Sequence, residues 1–343
     1  MAIRSAPVSK RNAVDVKLCA SWMPAFNRIV GARGTIRPRP WDHAYDELEA
    51  TGLNVSSNAG RTCATHFLSQ YHAGTPMTEN SDDEGLKIEV KDGIAILTLD
   101  TPSMRNSIPN DLAAEYTRFF KEANTRQDVR SILIRSSGDR DFCLGGAAGK
   151  NPPPLANNPI DYRFTSTPHI EMFKAMWELE RPVVSAVQGT VAGVGWLLAL
   201  LADMVVAAKG SRWTHVFIKR GMIPHAGDAF YLPRIIPFHR LNEIALLGDA
   251  VTAETLSNWG LINRLVERED LEETAMDLAR KLADQPTRAI GLAKRHYRRS
   301  LEADWNTVLR EEMTGQALYS TSTDRNEIIA AGREGRKPTL TGN

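Results

Sequence analysis

The sequence has few cysteines, no long apolar run and almost balanced charge. Its three cysteines, Cys19, Cys63 and Cys143, are neither an even set for disulfides nor spaced like metal ligands, which favours a reducing compartment such as the cytoplasm. No apolar run reaches the roughly 18 residues of a membrane-spanning helix, and the longest covers residues 191–201. The 42 basic and 41 acidic residues give a net charge of +1, so the overall charge points neither to nucleic acid nor to a membrane.

A complete nucleotide-binding motif is also missing, although one stretch contains three glycines between apolar runs. This stretch is VSAVQGTVAGVGWLLALLADMVVAA, and its glycines are Gly189, Gly193 and Gly195. A dinucleotide-binding fingerprint would need a glycine in place of Leu198 and an acid about 20 residues on, but Asp203 comes too early. The Gly-Lys-Ser/Thr of a P-loop is absent as well, so the glycines need another explanation.

The first 85 residues differ from the rest, because their apolar residues follow no period of 2 or 3.6. The first 41 residues carry one acid, Asp15, and eight bases: Arg4, Lys10, Arg11, Lys17, Arg28, Arg33, Arg37 and Arg39. This bias is similar to that of a transit peptide, but no clear amphipathic helix accompanies it. We therefore expect residues 1–85 to be an N-terminal extension, either disordered or a misassigned leader, with Met77 as an alternative start.

From residue 86 onward the sequence predicts alternating strands and helices. Asp92 and Gly93 separate two alternating runs and predict a β-hairpin. Strands are predicted in SILIRSS, PVVSAVQG and MVVAA, and helices over residues 110–124, 170–179 and 193–202. Later helical segments begin near Asn242, Thr252, Leu271, Thr287 and Asp304. The pattern predicts an α/β core over residues 86–265 and a helical C-terminal region over residues 266–343.

Two glycine-containing loops follow predicted strands, and their backbone N–H groups are candidate donors to a ligand. The first loop, in DFCLGGAAGK, contains Gly145 and Gly146, and the second passes through Gly193 into a buried helix. The N-terminus of a helix adds positive potential, which suits an oxyanion as well as a phosphate. Each loop alone is explained equally well by a tight turn, but the two together are a more specific signal.

These segments resemble the crotonase (enoyl-CoA hydratase/isomerase) superfamily over about residues 86–341. The resemblance is carried by MRNSI, DFCLGGA, RPVVSAVQGTVAGVGWLLALLADMVVAA, RGMIPHAGDAFYLPRIIP, LLGDAVTAETLSNWGLINRLV and EGRKPTLTG. It implies a spiral of ββα turns with a helical trimerisation region, usually in a trimer or a dimer of trimers. It also implies an acyl-CoA thioester substrate whose oxygen accepts hydrogen bonds from the N–H groups of Leu144 and Val194. Val194 replaces the glycine that is common at its position.

The resemblance also bears on the acid–base groups. The two glutamates of the family's hydratases correspond to Leu197 and Phe217 here, and neither side chain can accept a proton. Because water addition needs both a base and an acid, hydration by two glutamates is not expected. His225 stands where related isomerases, including the ring-epoxide phenylacetyl-CoA branch, often carry an acid, and a histidine is a competent base near neutral pH. Asp228, at i+3, can share a helix face with His225 and orient it, or act itself.

Other candidates follow from the same resemblance. Substrate or CoA binding is expected at Arg105, Ser107, Gly145, Gly146, Ala147, Gly193, Phe217 and Lys337. The aromatic residue often found shortly before the C-terminal lysine is missing, because Gly332 stands there. Trp196 and Trp213 are expected in the acyl pocket or the core, and His215 is a second candidate base. A surface or structural role is the alternative for His225.

The sequence thus predicts an enoyl-CoA isomerase that works through a thioester enolate, with His225 and Asp228 as its acid–base groups. No metal or redox cofactor is implied, and CoA enters only as part of the substrate. One alternative is an enoyl-CoA hydratase or a C–C-cleaving acyl-CoA hydrolase that uses the same two residues on a water molecule. The other is a catalytically silent crotonase-fold protein that binds acyl-CoA.

Overall fold

The structure, a computed structural model, describes residues 84–147 and 167–342. Its strands are β1 Gly85–Lys91, β2 Ile94–Asp100, β3 Ser131–Ser136, β4 Asp141–Cys143, β5 Val183–Val187, β6 Thr190–Ala192, β7 Met204–Ala208, β8 Arg212–Thr214, β9 Ala250–Thr252 and β10 Arg264–Val266. Its α-helices are α1 Asn110–Ala123, α2 Thr167–Trp177, α3 Val194–Leu200, α4 Asp228–Ile235, α5 Phe238–Leu247, α6 Ala253–Asn258, α7 Leu271–Ala283, α8 Thr287–Arg299, α9 Trp305–Tyr319 and α10 Thr323–Glu334.

The strands form two sheets, and the chain passes repeatedly from one to the other. The larger sheet has the strand order β1-β2-β3-β5-β7-β10, and the smaller has the order β4-β6-β8-β9. From β2 onward the larger sheet is parallel, as is the smaller one from β4 to β8. Strands β3, β5 and β7 each lead to a short strand of the other sheet. This repeated turn confirms the predicted α/β spiral with a helical C-terminal region.

The predicted hairpin joins β1 to β2. The two strands pair antiparallel from Gly85 opposite Asp100 to Lys91 opposite Ile94. Asp92 and Gly93 have φ angles of 52° and 79°. Positive φ at both central residues belongs to the tight turn whose twist matches that of the flanking strands.

Some elements differ from the sequence prediction. Helix α5 begins at Phe238 instead of near Asn242. Pro237 directly precedes the helix and has a fixed φ angle. Its missing N–H group costs nothing at this position, because the first N–H groups of a helix have no acceptor within it. Strands β9 and β10 have three residues each, too few to show a period of 2, and the sequence does not predict them.

The larger sheet is buried on both faces. All five residues of β5 are buried, as expected for a parallel strand covered on each side. On one face α7 presents Leu271, Ala275, Ala279 and Ala283, spaced four residues apart, to a cluster that contains Val184 of β5. The small alanines bring α7 close to the strands, and the opposite face packs into the main core.

The predicted N-terminal extension, with its basic segment, lies outside the described residues except for Glu84 and Gly85. Over residues 84–147 and 167–342, no helix combines the length and apolar character needed to cross a bilayer. The boundary expected between residues 265 and 266 stays a prediction.

Candidate active site

The two glycine loops lie against each other at the ends of neighbouring parallel strands. Strand β4 leads into Leu144 and Gly145, and β6, its partner in the sheet, leads into Gly193. A Cβ atom on Gly145 would lie 3.5 Å from Gly193 Cα and 3.6 Å from Val194 N. Gly145 has a φ of 107° and Gly193 has 55°, which side chains rarely allow. Adjacent strands therefore bring the predicted oxyanion loops together.

The backbone of Val194 is placed to donate a hydrogen bond. Val194 is the first residue of α3, so its N–H group has no acceptor within the helix. Leu144 directly follows β4 and touches the same glycine turn, because Leu144 O lies 3.9 Å from where a Cβ on Gly193 would be. Two amides on touching loops can serve one oxygen atom of a ligand, although their assignment to the thioester stays a prediction.

The third glycine, Gly195, allows α3 to approach β4. A Cβ atom there would lie 2.7 Å from Cys143 Cβ and closer still to the Cys143 carbonyl oxygen. Burial raises the pKa of the Cys143 thiol to about 12, although a hydrogen bond with the Gly145 backbone lowers it. Cys143 is 0% exposed, and it fills the space between β4 and α3 as a packing residue.

Apolar side chains occupy both positions of the hydratase glutamates. Leu197, on α3, and Phe217 are each 3% exposed. The Phe217 ring lies between two histidines, with ring centroids 4.9 Å from His215 and 5.2 Å from His225. The structure thus places two histidine rings against the side chain at position 217.

His225 is half-buried and lies in a turn that precedes α4. Its Nδ1 is 3.3 Å from the Ile223 carbonyl oxygen. Ala226 and Gly227 follow with φ angles of 61° and 95°, and α4 begins only at Asp228. The expectation that His225 and Asp228 share a helix face is therefore wrong, because His225 is not on the helix.

Asp228 pairs with a different histidine. Its Oδ2 lies 2.9 Å from His215 Nε2, and both residues are buried, at 3% and 0% exposure. A carboxylate oxygen can accept a hydrogen bond from an imidazole N–H group, and this distance is that of such a bond. Nδ1 of His215 is buried without a partner among the described residues. The predicted orienting role of Asp228 toward His225 is thus replaced by a bond to His215, which anchors the start of α4.

A third histidine, His169 of α2, holds the first glycine loop. His169 Nε2 lies 2.8 Å from the Ile108 carbonyl oxygen, which also accepts a hydrogen bond from Ala147 N. Burial lowers the pKa of His169, the bond to Ile108 offsets part of this, and the charge of His225 lowers it further. The sequence does not single out His169, because one histidine on an apolar helix face gives no signal of its own.

Several predicted binding residues are already engaged in the fold. Arg105 donates two hydrogen bonds to the buried Asp141 carboxylate, at 2.9 and 2.7 Å. Burial raises the pKa of Asp141, but hydrogen bonds from Arg105 and Thr190 outweigh this and hold the pKa below its usual value. The Ser107 carbonyl oxygen accepts from Thr101 Oγ1. Arg105 therefore fastens its loop to β4, and its contact with CoA stays a prediction.

Lys337 lies on the C-terminal tail, where its Nζ is 3.5 Å from Asp284 and its side chain is exposed. The predicted contact of Lys337 with CoA bound to a neighbouring subunit stays a prediction, because it depends on an assembly of several chains.

Trp196 and Trp213 are fully buried and pack edge to face at 5.6 Å, so they belong to the core.

An apolar cavity of about 240 Å³ adjoins α3 and the His225 turn. It is lined by Leu197 of α3, by Leu201 directly after that helix, by Ala226 and Gly227 of the turn, and by the aromatic residues Phe173, Trp177, Phe230 and Tyr231, with Ile170, Lys174 and Glu302 completing the lining. Phe230 and Tyr231 each meet Trp177 edge to face at 5.8 Å. We call it the aromatic cavity.

Comparison with known proteins identifies the family. Residues 89–343 match the family model described as enoyl-CoA hydratase/isomerase. The chain belongs to this family. Its 1,2-epoxyphenylacetyl-CoA isomerase relative from Escherichia coli (strain K12) is 33% identical over 254 residues, which are 74% of this chain and 97% of the relative. A carnitinyl-CoA dehydratase from the same strain is 30% identical over 253 residues, or 73% and 94% of the two chains.

A solved structure shows the same fold. The enoyl-CoA hydratase from Bacillus anthracis superposes with a TM-score of 0.70 over 76% of this chain and all of its own, at 24% identity. The chain is thus a crotonase-family acyl-CoA enzyme whose relatives carry both isomerase and dehydratase names. Among residues 84–147 and 167–342, no group of three or more His, Cys, Asp or Glu side chains lies close enough to hold a metal ion.

Proposed function

We propose that this enzyme relocates a proton in an enoyl-CoA thioester through an enolate, as an isomerase. The observation that carries the proposal is the replacement of both hydratase carboxylates by the buried side chains Leu197 and Phe217, beside the half-buried His225. An isomerase needs one group that removes a proton and returns it elsewhere, whereas a hydratase must also activate water. The 33% identity to an isomerase supports the same choice.

In this reaction the thioester oxygen accepts hydrogen bonds from the N–H groups of Leu144 and Val194. His225 removes a proton from one carbon, and the electron pair of the C–H bond moves through the carbonyl carbon onto the oxygen. The two amides stabilise this enolate, and each such donor is typically worth about 2.7–4 kcal/mol in the transition state. His225 then returns the proton to another carbon, which restores the thioester carbonyl. The acyl group, aromatic-derived or fatty, lies in the aromatic cavity.

Water addition is the second candidate function. The position of His169 beside the first glycine loop favours it. His169 adjoins the first glycine loop, since a Cβ on Gly146 would lie 3.4 Å from its Nε2. The charge of His225 is one of the causes that lower the pKa of His169, after burial. A pair of histidines could supply the base and the acid that hydration needs. The dehydratase name of one relative agrees with this second reading.

Mass spectrometry in heavy water tests the first proposal. The purified chain would be incubated with a panel of enoyl-CoA thioesters, and the product would gain deuterium without the mass of a water. The rate would fall about 10²–10⁴-fold in His225→Ala, because a positioned general base contributes that much. His239→Ala, an exposed histidine of α5, is the matched control and should keep the wild-type rate.

Other products would contradict this proposal. A gain of one water points to the hydratase, and loss of an acyl fragment points to the C–C-cleaving hydrolase. Binding of thioesters without deuterium exchange across the panel points to a silent acyl-CoA-binding protein. An unchanged rate in His225→Ala removes this residue from the mechanism.

We further propose that the working form is a homotrimer or a dimer of trimers, in a reducing, cytoplasmic compartment. The assembly is supported by α9, where Gly315 is the buried residue among fifteen and Trp305 and Met313 are exposed. The compartment is supported by Cys143, which is free and buried. CoA is proposed as part of the substrate, with no separate cofactor.

A further inference from the structure

A second cavity, of about 570 Å³, is lined by four arginines. It lies between the end of α1, the start of α8 and the end of α9. The charged residues in its lining are Arg130, Arg181, Arg288, Arg295 and one acid, Glu180. Four positive charges and one negative charge leave +3, although the whole chain carries only +1. We call this cavity the arginine cleft.

The arginine cleft lies at the opposite end of the strands from the predicted oxyanion loops. Arg130 immediately precedes β3, and Arg181 comes two residues before β5, which runs parallel to β3. The carboxyl end of β3 adjoins β4, since Ser136 Oγ lies 3.2 Å from the Asp141 carbonyl oxygen. The six residues of β3 span about 20 Å. The cleft is therefore a place separate from the thioester loops.

Arg181 is a buried cation whose charge is poorly compensated. It is 8% exposed, and its Nη2 donates to the carbonyl oxygens of Asn124 and Arg126. Its Nε has no hydrogen-bond partner among the described residues. Glu180, the acid in the lining, lies 3.4 Å from Arg295 instead. Burial lowers the pKa of Arg181, Glu180 raises it, and Arg288 lowers it further.

The start of α8 adds positive potential to the same cleft. Thr287 and Arg288 open this 13-residue helix and line the cleft, and no side chain caps the helix after Pro286. The first N–H groups of a helix have no acceptor within it, and its dipole favours an anion there. The first turn of α8 contains no acid but does contain Arg288, a cation at the end where cations are disfavoured. A bound anion would interact favourably with both the helix start and the arginine side chains of the cleft.

We propose that the arginine cleft binds a small phosphate-bearing anion at a site separate from that of the thioester. Guanidinium groups match phosphate oxygens in pairs of hydrogen bonds, and free N–H groups at a helix start add further donors. Arg288 and Arg295 supply the accessible charge, and Arg181 supplies the buried charge. The proposal is independent of the reaction that the enzyme catalyses.

Isothermal titration of the full chain with inorganic pyrophosphate, at constant ionic strength, tests the proposal. The wild type should bind in a saturable way with a submillimolar Kd. The double variant Arg288→Gln/Arg295→Gln should raise this Kd at least tenfold, with circular dichroism and Tm showing that it still folds. Arg333→Gln, an exposed arginine of α10, is the matched control and should leave the Kd unchanged. No saturable binding by the wild type, or equal weakening in the control, overturns the proposal.

A second arm separates a free phosphate compound from the phosphates of acyl-CoA itself. If the cleft is a separate site, pyrophosphate does not compete with acyl-CoA for binding, and the double variant keeps the wild-type Kd for acyl-CoA. Competition, or a raised Kd for acyl-CoA in the double variant, overturns the claim of a separate site. Because both arms measure binding, they give a result even if isomerase turnover is not found.

Discussion

Lys294 of α8 is a charged side chain almost wholly enclosed by the core. Its Nζ lies 2.6 Å from both the Arg181 carbonyl oxygen and Asp203 Oδ2. Asp203 Oδ2 also accepts a hydrogen bond from Val183 N, at 2.7 Å. Burial lowers the pKa of Lys294 from its usual 10.5 to about 8, although the charge of Asp203 raises it. The contact fastens α8 to the start of β5, and the free-energy cost of burying this charge depends on pH.

This buried charge predicts how the free energy of unfolding changes with pH. The pKa in the folded state, about 8, lies below the 10.5 of the unfolded chain, so the unfolded chain binds more protons between these values. Stability therefore rises with pH across this window. We expect the difference in unfolding free energy between wild type and Lys294→Met to grow in favour of the wild type by about 2–3 kcal/mol from pH 8 to 10.5. Urea titrations along the pH series measure it, and a constant difference would contradict it.

At the scale of elements, the approach of α3 to β4 determines where the two predicted oxyanion amides lie. Gly195 permits this approach, because any side chain there would overlap Cys143. Gly193, just before the helix, has a φ of 55° and a ψ of −126°, which only glycine adopts readily. The helix start and the strand end are thus held in one arrangement by small residues.

Gly195→Ala should therefore disturb both stability and activity. Overpacking of a core typically costs about 1–3 kcal/mol, and here the added methyl group meets backbone, which yields poorly. We expect a loss of this size in urea unfolding, together with a fall in kcat because α3 moves away from the first loop. Gly332→Ala in α10 is the control, since a Cβ there has no atom within 4 Å. Equal stability of the two variants would show that α3 and β4 separate easily.

Elements could be predicted from the sequence where the signal is local. The Asp92-Gly93 turn and the long apolar strands follow from residues next to one another, and the structure confirms them. The partner of Asp228 could not be predicted in this way. It is His215, thirteen residues earlier, and the pairing depends on how β8 and α4 pack. The role of His169 beside the first glycine loop likewise depends on a contact 61 residues away, with Ile108.

On the scale of the whole molecule, α9 leaves an apolar surface uncovered. Trp305, Leu309 and Met313 follow one another at intervals of four residues, so they share one face of the helix. Trp305 is 78% exposed and Met313 is 67% exposed. A stripe of large apolar side chains on one helix face is typical of a surface that another chain covers.

The proposed homotrimer predicts that a charge on this stripe disrupts assembly. Trp305→Glu/Met313→Glu should elute with the mass of a monomer, because burying two carboxylates in an apolar contact is costly. Size-exclusion chromatography with light scattering gives the mass directly. Lys91→Glu, on the exposed side of β1, is the control and should keep the mass of the wild type. Variants that stay trimeric would place the interface elsewhere.

The two predicted donors to the thioester oxygen are main-chain amides, whereas the candidate proton carriers are side chains on other segments. Changing a side chain at position 197, 217 or 225 leaves the β4–β6 ladder that holds the amides intact. In such a scaffold the main-chain donors stay constant, while the side chains that carry protons are free to vary. One enolate-holding frame can in this way be inherited by enzymes that catalyse different reactions, and the names of the relatives of this chain span such a range.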